Sequence, residues 1–156
     1  MKIADCMKRE VVAIPQTASV AEAVALLVQR HIGLLPVVDE QRHLAGVLDL
    51  HDLLSLALPA FIRLVDDVDF VHDFGAVEAA QPEPEALRRP VTAVMRPATT
   101  VLETCGLQRA YALMRQRDLH DLPVVDTAGR LAGIASRVDV AAAILHGWRL
   151  PTGGVP

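Results

Sequence analysis

The sequence predicts an α/β fold of the α+β kind, made of two βαββα units with a helical insertion between them. The first observation is a repeated block. Leu35-Pro36-Val37-Val38-Asp39 returns as Leu122-Pro123-Val124-Val125-Asp126, and after six intervening residues Gly46-Val47-Leu48-Asp49-Leu50-His51-Asp52 returns as Gly133-Ile134-Ala135-Ser136-Arg137-Val138-Asp139. Pro36 and Pro123, Gly46 and Gly133, and Asp52 and Asp139 all stand 87 positions apart. That constant register marks an internal duplication. Upstream, Met7 and Met95 match with a slip to 88, each preceding a β-prone run and then an Ala/Leu-rich helix. The third observation is length: 156 residues make about one ordinary domain, so two half-size repeats are expected to share one core.

In chain order, Glu10 to Ile14 reads as a short strand stopped by Pro15. Ser19-Val20-Ala21-Glu22 has the S-x-x-E form of a capping box, in which the Ser oxygen and the Glu carboxylate satisfy N–H groups at a helix start. Val20, Ala23, Val24, Leu27 and Val28 then fall on one helical face that is expected to turn inward, with the helix running to about His31 and ended by Gly33. Leu35 to Val38 is a buried strand, Asp39 to Arg42 a polar turn, Leu44 to Leu48 the return strand, and a helix opens at Asp49. Residues 53–90 lie outside the duplication. Leu54, Leu58, Phe61, Ile62, Val65 and Val68 recur at helical spacing, with a possible bend at Pro59, and Gln81-Pro82-Glu83-Pro84-Glu85 is expected to break any helix and act as a linker. Its apolar surface suggests a partner-facing element. The second repeat opens at Val91, with a strand from Ala98 to Leu102 and a helix from about Gly106 to Arg117 burying Leu107, Ala110, Tyr111 and Met114. Strands Leu122 to Val125 and Leu131 to Ala135 follow, and a last helix from Ser136 to His146 stops at Gly147. The expected organisation is thus a first repeat over 1–58, the insertion and linker over 59–90, a second repeat over 91–150 and a frayed tail over 151–156.

Composition removes several classes of function. A net charge of -4 without a basic block argues against nucleic acid as partner, since backbone binders rely on clustered Lys and Arg. No stretch approaches the roughly 18 uninterrupted apolar residues of a membrane span, and the start lacks a signal-peptide core, so a cytoplasmic protein away from membranes is expected. Cys6 and Cys105 show no CxxC spacing and are expected to stay reduced. His31, His43, His51, His72, His120 and His146 show no zinc-type spacing, and Asp66, Asp67, Asp69 and Asp73 read as a solvated helix face, so no metal site is expected. No nucleophile stands beside a base at readable spacing.

Taken together, Met7 and Met95, the two Leu-Pro-Val-Val-Asp runs and the two Gly-x-x-x-x-x-Asp blocks resemble a tandem pair of CBS domains, the family named after cystathionine β-synthase. The likeness covers the chain apart from residues 53–90. It implies two βαββα repeats related by pseudo-twofold symmetry, commonly dimerised, that are not enzymes. Such pairs sense adenosine ligands such as AMP, ADP, ATP or S-adenosylmethionine and act on a partner, with no catalytic cofactor.

The family's ligand pattern is Gly, two apolar residues, Ser or Thr, two residues, then Asp. Gly133, Ser136 and Asp139 fit it fully. By that resemblance Asp139 accepts the ribose hydroxyls, Ser136 touches the phosphate, and adenine lies against Leu122, Pro123 and the backbone of Thr99, Thr100 and Val101. A helix N-terminus at Ser136 suits an anion, a carboxylate has lone pairs for both ribose donors, and Arg137 is near enough in sequence to add charge. The first block departs from the pattern. Asp49 stands in the Ser/Thr place, where it would repel a phosphate, and His51 stands where relatives often carry Arg. Asp52, with Leu35 and Pro36, is left as a weaker site, empty or filled by a less anionic ligand. A plainer account also fits the same residues: both blocks are capping boxes, and the chain is a ligand-free dimerisation or scaffolding module that works through its helical insertion.

Overall fold

The computed structural model describes residues 1–57 and 81–148. The expectations for Leu58 to Val68, the bend at Pro59, the acidic run from Asp66 to Asp73 and the tail over 151–156 lie outside them. The elements in order are β1 (Ile14–Pro15), α1 (Val20–Arg30), β2 (Leu34–Val38), β3 (Leu44–Asp49), α2 (Leu50–Leu54), α3 (Pro84–Arg88), β4 (Val101–Leu102), α4 (Leu107–Gln116), β5 (Asp121–Val125), β6 (Leu131–Ser136) and α5 (Arg137–His146), with 3₁₀ turns at Ile3–Asp5 and Val91–Ala93. They form two three-stranded sheets, ordered β1-β2-β3 and β4-β5-β6. The duplication survives in the pairing: Ile14 lies beside Val37 in parallel, and Val101 beside Val124. It survives in the backbone too. His31 and Asp118 both adopt left-handed φ, 51° and 50°, and so do Arg42 and Gly129 in the two turns, 66° and 81°.

Local chemistry explains the helix ends. Ser19 closes α1 as expected: its Oγ accepts from the Glu22 N–H at 3.2 Å, and the Glu22 carboxylate accepts from the Ser19 N–H at 2.7 Å. Gly33 is not the terminator. The left-handed residue is His31, whose N–H reaches the carbonyls of Leu27 and Val28, and His is among the side chains that tolerate this region. The inward face of α1 is narrower than expected, with Val20, Ala23 and Leu27 buried and Val28 65% exposed. Tyr111 on α4 is half-buried, while Leu107, Ala110 and Met114 are fully enclosed as expected. Residues 81–83 are not helical, and a short helix starts within the proline-rich run. Pro84 occupies the first turn of α3, where a missing N–H costs nothing because that donor has no intrahelical acceptor.

The chain divides into two compact units, and their composition departs from the order of the repeats. One unit is built on the second repeat and takes in Met1–Val11 and Gln41–Leu44 together with the described part of Thr99–Pro156. The other is built on the first repeat, from Val12–Glu40 and the described part of Ala45–Ala98. Each has its own hydrophobic cluster, so the expectation of one shared core is corrected. The second-repeat cluster holds Leu107, Ala110, Met114, Leu122, Val124, Ala135 and Val140, closed by Ile3 and Met7. The first-repeat cluster holds Ile14, Ala23, Leu27, Leu35, Val37 and Leu48, closed by Val91 with Met95 at its margin. The segment that precedes each repeat therefore packs on the other repeat's strands. Ile3 donates its N–H to Cys105 O at 2.8 Å, and Val91 donates to Ala18 O at 2.8 Å. This also explains why the first strand of each sheet is shorter than predicted. Residues 10–13 and 98–100 carry the chain from one unit to the other, and only Ile14–Pro15 and Val101–Leu102 find a ladder.

Candidate functional site

In the second-repeat unit the candidate residues meet where β6 gives way to α5. Ser136 is both the last residue of β6 and the N-cap of α5. Its Oγ accepts from the Asp139 N–H at 3.0 Å, and Asp139 Oδ2 accepts from the Ser136 N–H at 2.9 Å and from Ser136 Oγ at 2.7 Å. The box holds Asp139 in place while Oδ1 accepts no hydrogen bond among the described residues. Its neighbour across the ladder is Asp121, paired with Ser136. Burial, followed by the charge of Asp139, pushes the Asp121 carboxyl above its usual value, with His120 and Lys8 acting in the opposite direction. Asp121 went unnoticed in the sequence because the matching position of the first repeat is Leu34.

The remaining candidates divide. Arg137 does not extend into open space. Its Nε and an Nη donate to Leu119 O at 3.0 and 2.8 Å, and the same Nη donates to Asp118 at 3.0 Å, tying α5 to the left-handed turn after α4. Leu122 has no exposed surface and belongs to the hydrophobic cluster, and Pro123 is buried beside it. Val101 lies on the edge strand against Val124, with Thr99 half-buried and Thr100 exposed before it. A cavity of about 690 Å³ uses Thr100 and Val101 with Arg109, Leu113 and Gln116, and takes in neither Ser136 nor Asp139. Gly133 has a packing reason. A Cβ there would lie 2.5 Å from Met7 Sδ and 3.0 Å from Lys8 O, because Lys8 bridges Ile134 through N–H···O bonds of 2.8 and 2.9 Å.

The first-repeat unit repeats this frame with different charges. Arg96 bridges Val47 as Lys8 bridges Ile134, with bonds of 2.8 and 2.9 Å, and a Cβ at Gly46 would lie 2.8 Å from Met95 Sδ. Asp49 caps α2 and accepts from the Asp52 N–H at 2.8 Å, while Asp52 Oδ2 accepts from the Asp49 N–H at 3.0 Å. Over this pair lies Arg96, which sequence reasoning missed. Its Nε donates to Asp52 Oδ1 at 2.7 Å and Oδ2 at 2.9 Å, and an Nη donates to Asp49. The expected repulsion at Asp49 is therefore offset by a cation from the start of the second repeat; the Met7 to Met95 match, read one residue further, was the available signal. His51 is exposed on α2, Leu35 lies in the hydrophobic cluster and Pro36 is fully buried. Among the described residues no group of His, Cys, Asp or Glu could hold a metal ion, and no helix is long and apolar enough to cross a membrane. Cys6 and Cys105 are free thiols, and burial raises the pKa of Cys6.

Comparison with known proteins agrees with this anatomy. The family described as CBS domain matches residues 3–58 and again residues 91–146. The chain is 32% identical over 146 residues to the chloroplastic CBS domain-containing protein CBSX1 of Arabidopsis thaliana, covering 89% of this chain and 61% of that protein. Its similarity to CBSX2 of the same plant is 31% over 136 residues, covering 83% of this chain and 57% of the relative. The chain thus spans about three fifths of the length of the curated relatives it matches. Among solved structures, CBSX2 in complex with AMP superposes with a TM-score of 0.69 at 28% identity, covering 93% of this chain and 96% of that one. The cytosolic domain of the Mg²⁺ channel MgtE in complex with ATP gives 0.65 at 27%, covering 92% of this chain and 48% of that one.

Proposed function

The chain belongs to the CBS-domain family as a tandem pair, and from that premise we propose that it is a regulatory module that binds an adenine nucleotide at Ser136 and Asp139 and is not an enzyme. The observation that carries this reading is the Asp139 carboxylate, held by Ser136 through Oδ2 while Oδ1 accepts nothing from the described residues. An acceptor fixed in position and still unsaturated can take the two hydroxyls of a ribose. The N-terminus of the ten-residue helix that Ser136 caps favours the phosphate that follows. Two relatives above 25% identity were solved with AMP and with ATP, which supports the ligand class. Ligand then acts by population shift, favouring one conformation over another and so altering a partner. We further propose a homodimer, supported by Val138 and Leu145 on α5 and by Trp148, which are 74%, 50% and 62% exposed.

Thermal unfolding against AMP, ADP, ATP, S-adenosylmethionine and NADH, with GMP as control, tests the nucleotide reading. Ligand at 100 times its dissociation constant adds about 2.7 kcal/mol, a rise of roughly 5–10 °C at this size. The rise is expected to vanish in Asp139→Ala, each variant being compared with its own unliganded state because loss of the cap alone costs about 0.5–2 kcal/mol. A flat response to the whole panel at millimolar ligand refutes it. One observation favours a scaffold without ligand: both boxes already satisfy their helix ends internally. On that reading no nucleotide moves the midpoint, and sedimentation equilibrium still reports a dimer.

A further inference from the structure

We propose that Arg96 is an internal occupant of the first block, lying on Asp52 where the second block offers Asp139 to a ribose, so that the chain takes one nucleotide and not two. The proposal rests on the nucleotide reading above. It also goes beyond it, because it assigns a specificity-determining role to a residue outside the repeated motif.

The two blocks provide an internal control, since duplication gave them the same turn from strand to helix, although α2 runs for five residues and α5 for ten. Asp52 and Asp139 occupy the same third position of a helix, each held by the N-cap residue three places earlier, Asp49 or Ser136. Arg96 and Lys8 occupy the same position on the strand segment that bridges β3 or β6, with paired bonds of equal length. The side chains differ. Asp52 accepts from the Asp49 N–H and from Arg96 Nε, which is shared between both of its oxygens. Its side chain is left 11% exposed. Asp139 accepts from Ser136 alone, and Lys8 makes no hydrogen bond to it among the described residues.

Geometry explains why arginine and not lysine does this. A guanidinium is planar and carries several donors in a fixed fork, so one Arg spans the carboxylates of Asp49 and Asp52 together, whereas an ammonium is a compact point charge. Asp49 completes the arrangement by giving the fork its second acceptor. A ribose diol entering this block must displace Arg96, and once it is displaced two neighbouring carboxylates face the incoming phosphate. Both steps disfavour a nucleotide.

The test converts each block into the other and counts AMP by isothermal titration calorimetry on the full chain. Wild type is expected to bind one AMP. Arg96→Lys with Asp49→Ser, which places the counterparts of Lys8 and Ser136 in the first block, is expected to bind two. The reciprocal pair, Lys8→Arg with Ser136→Asp, is expected to bind AMP at least tenfold more weakly at the second block. Far-UV circular dichroism and the unfolding midpoint establish that each variant is folded, and Arg96→Gln with Asp49→Ser supplies a second route to the open block. A wild type that binds two AMP overturns the proposal, as does a folded open-block variant that gains no site. If wild type binds none but the open-block variant binds one, the Arg96 occupancy stands and the reading of Ser136 and Asp139 falls. No binding by any folded variant refutes both.

Discussion

Replacing Gly133 by Ala tests the exchange of segments directly. The new Cβ would arrive 2.5 Å from Met7 Sδ, 2.9 Å from Met7 Cγ and 3.0 Å from Lys8 O. Those sulfur and carbon atoms end a flexible side chain, but the Lys8 carbonyl is backbone held in a bridge to Ile134, and it can give little. Overpacking of this kind costs about 1–3 kcal/mol. Stiffening of the unfolded chain by the Gly→Ala change returns about 0.4–1 kcal/mol, so the overpacking term wins and the variant loses about 1–2 kcal/mol. At this chain length the midpoint falls by roughly 2–8 °C. Urea denaturation followed by far-UV circular dichroism gives the free energy, and a double-mutant cycle with Met7→Ala locates its source. Met7 is 8% exposed, and its truncation alone costs about 2–5 kcal/mol. In the double variant the two losses overlap, with a coupling of about 0.5–3 kcal/mol. Gly147→Ala is the control: its φ is -77° and its Cβ would approach only Ile144 O, at 3.4 Å, so with no overpacking to oppose the stiffening it should gain about 0.4–1 kcal/mol. A neutral Gly133→Ala, or strictly additive losses, refutes the seating of Met7 on the second repeat.

Other perturbations probe separate parts of the molecule. Arg96→Gln is expected to lower stability by no more than about 1 kcal/mol, because its side chain is 49% exposed and solvent screens the pair; the difference should shrink in high salt in chemical denaturation. For Asp121 the sign follows from burial. Its folded-state pKa lies above the ordinary value near 3.8, so its contribution is full below that pH and is lost as pH rises through the raised value. Asp121→Asn should remove this descending component from stability measured against pH. Glu22 behaves oppositely: the N–H and hydroxyl of Ser19 depress its pKa, so its contribution is present above the usual carboxylate value and is lost in acid, a loss that Glu22→Gln should abolish in the same titration. Leu27→Ala should cost about 2–5 kcal/mol and, in hydrogen exchange, release amides of the first-repeat unit before those around Met114, since the two residues belong to different clusters.

The repeat was legible because a duplication preserves register through turns and strands alike, and the 87-residue offset recurs in the strand pairing and in the left-handed residues. Helix starts were legible because Ser19, Asp49 and Ser136 act locally. What escaped the sequence is nonlocal. Nothing in the spacing of Ile3 or Met7 indicates that they close the cluster around Leu122, and nothing near Asp52 points to an arginine 44 residues away. Gly133 has a packing reason that the sequence did not reveal: a ligand motif and a close strand approach call for the same residue, and the approach to Met7 is nonlocal.

The order in which the chain is made gives the exchanged segments a further meaning. Ile3 leaves the ribosome long before Cys105, the residue whose carbonyl it binds. At about 5–20 residues per second the interval is roughly 5–20 s. During that time the apolar side chains of Ile3 and Met7 have no finished seat, while Val12–Glu40 and the described part of Ala45–Ala98 can already close on each other. Assembly during translation is thus biased to begin in the middle of the chain and to end with its first residues. A ribosome stalled before β5 and β6 would hold a nascent protein with one unit complete and two hydrophobic residues waiting, the kind of exposed surface that chaperones bind.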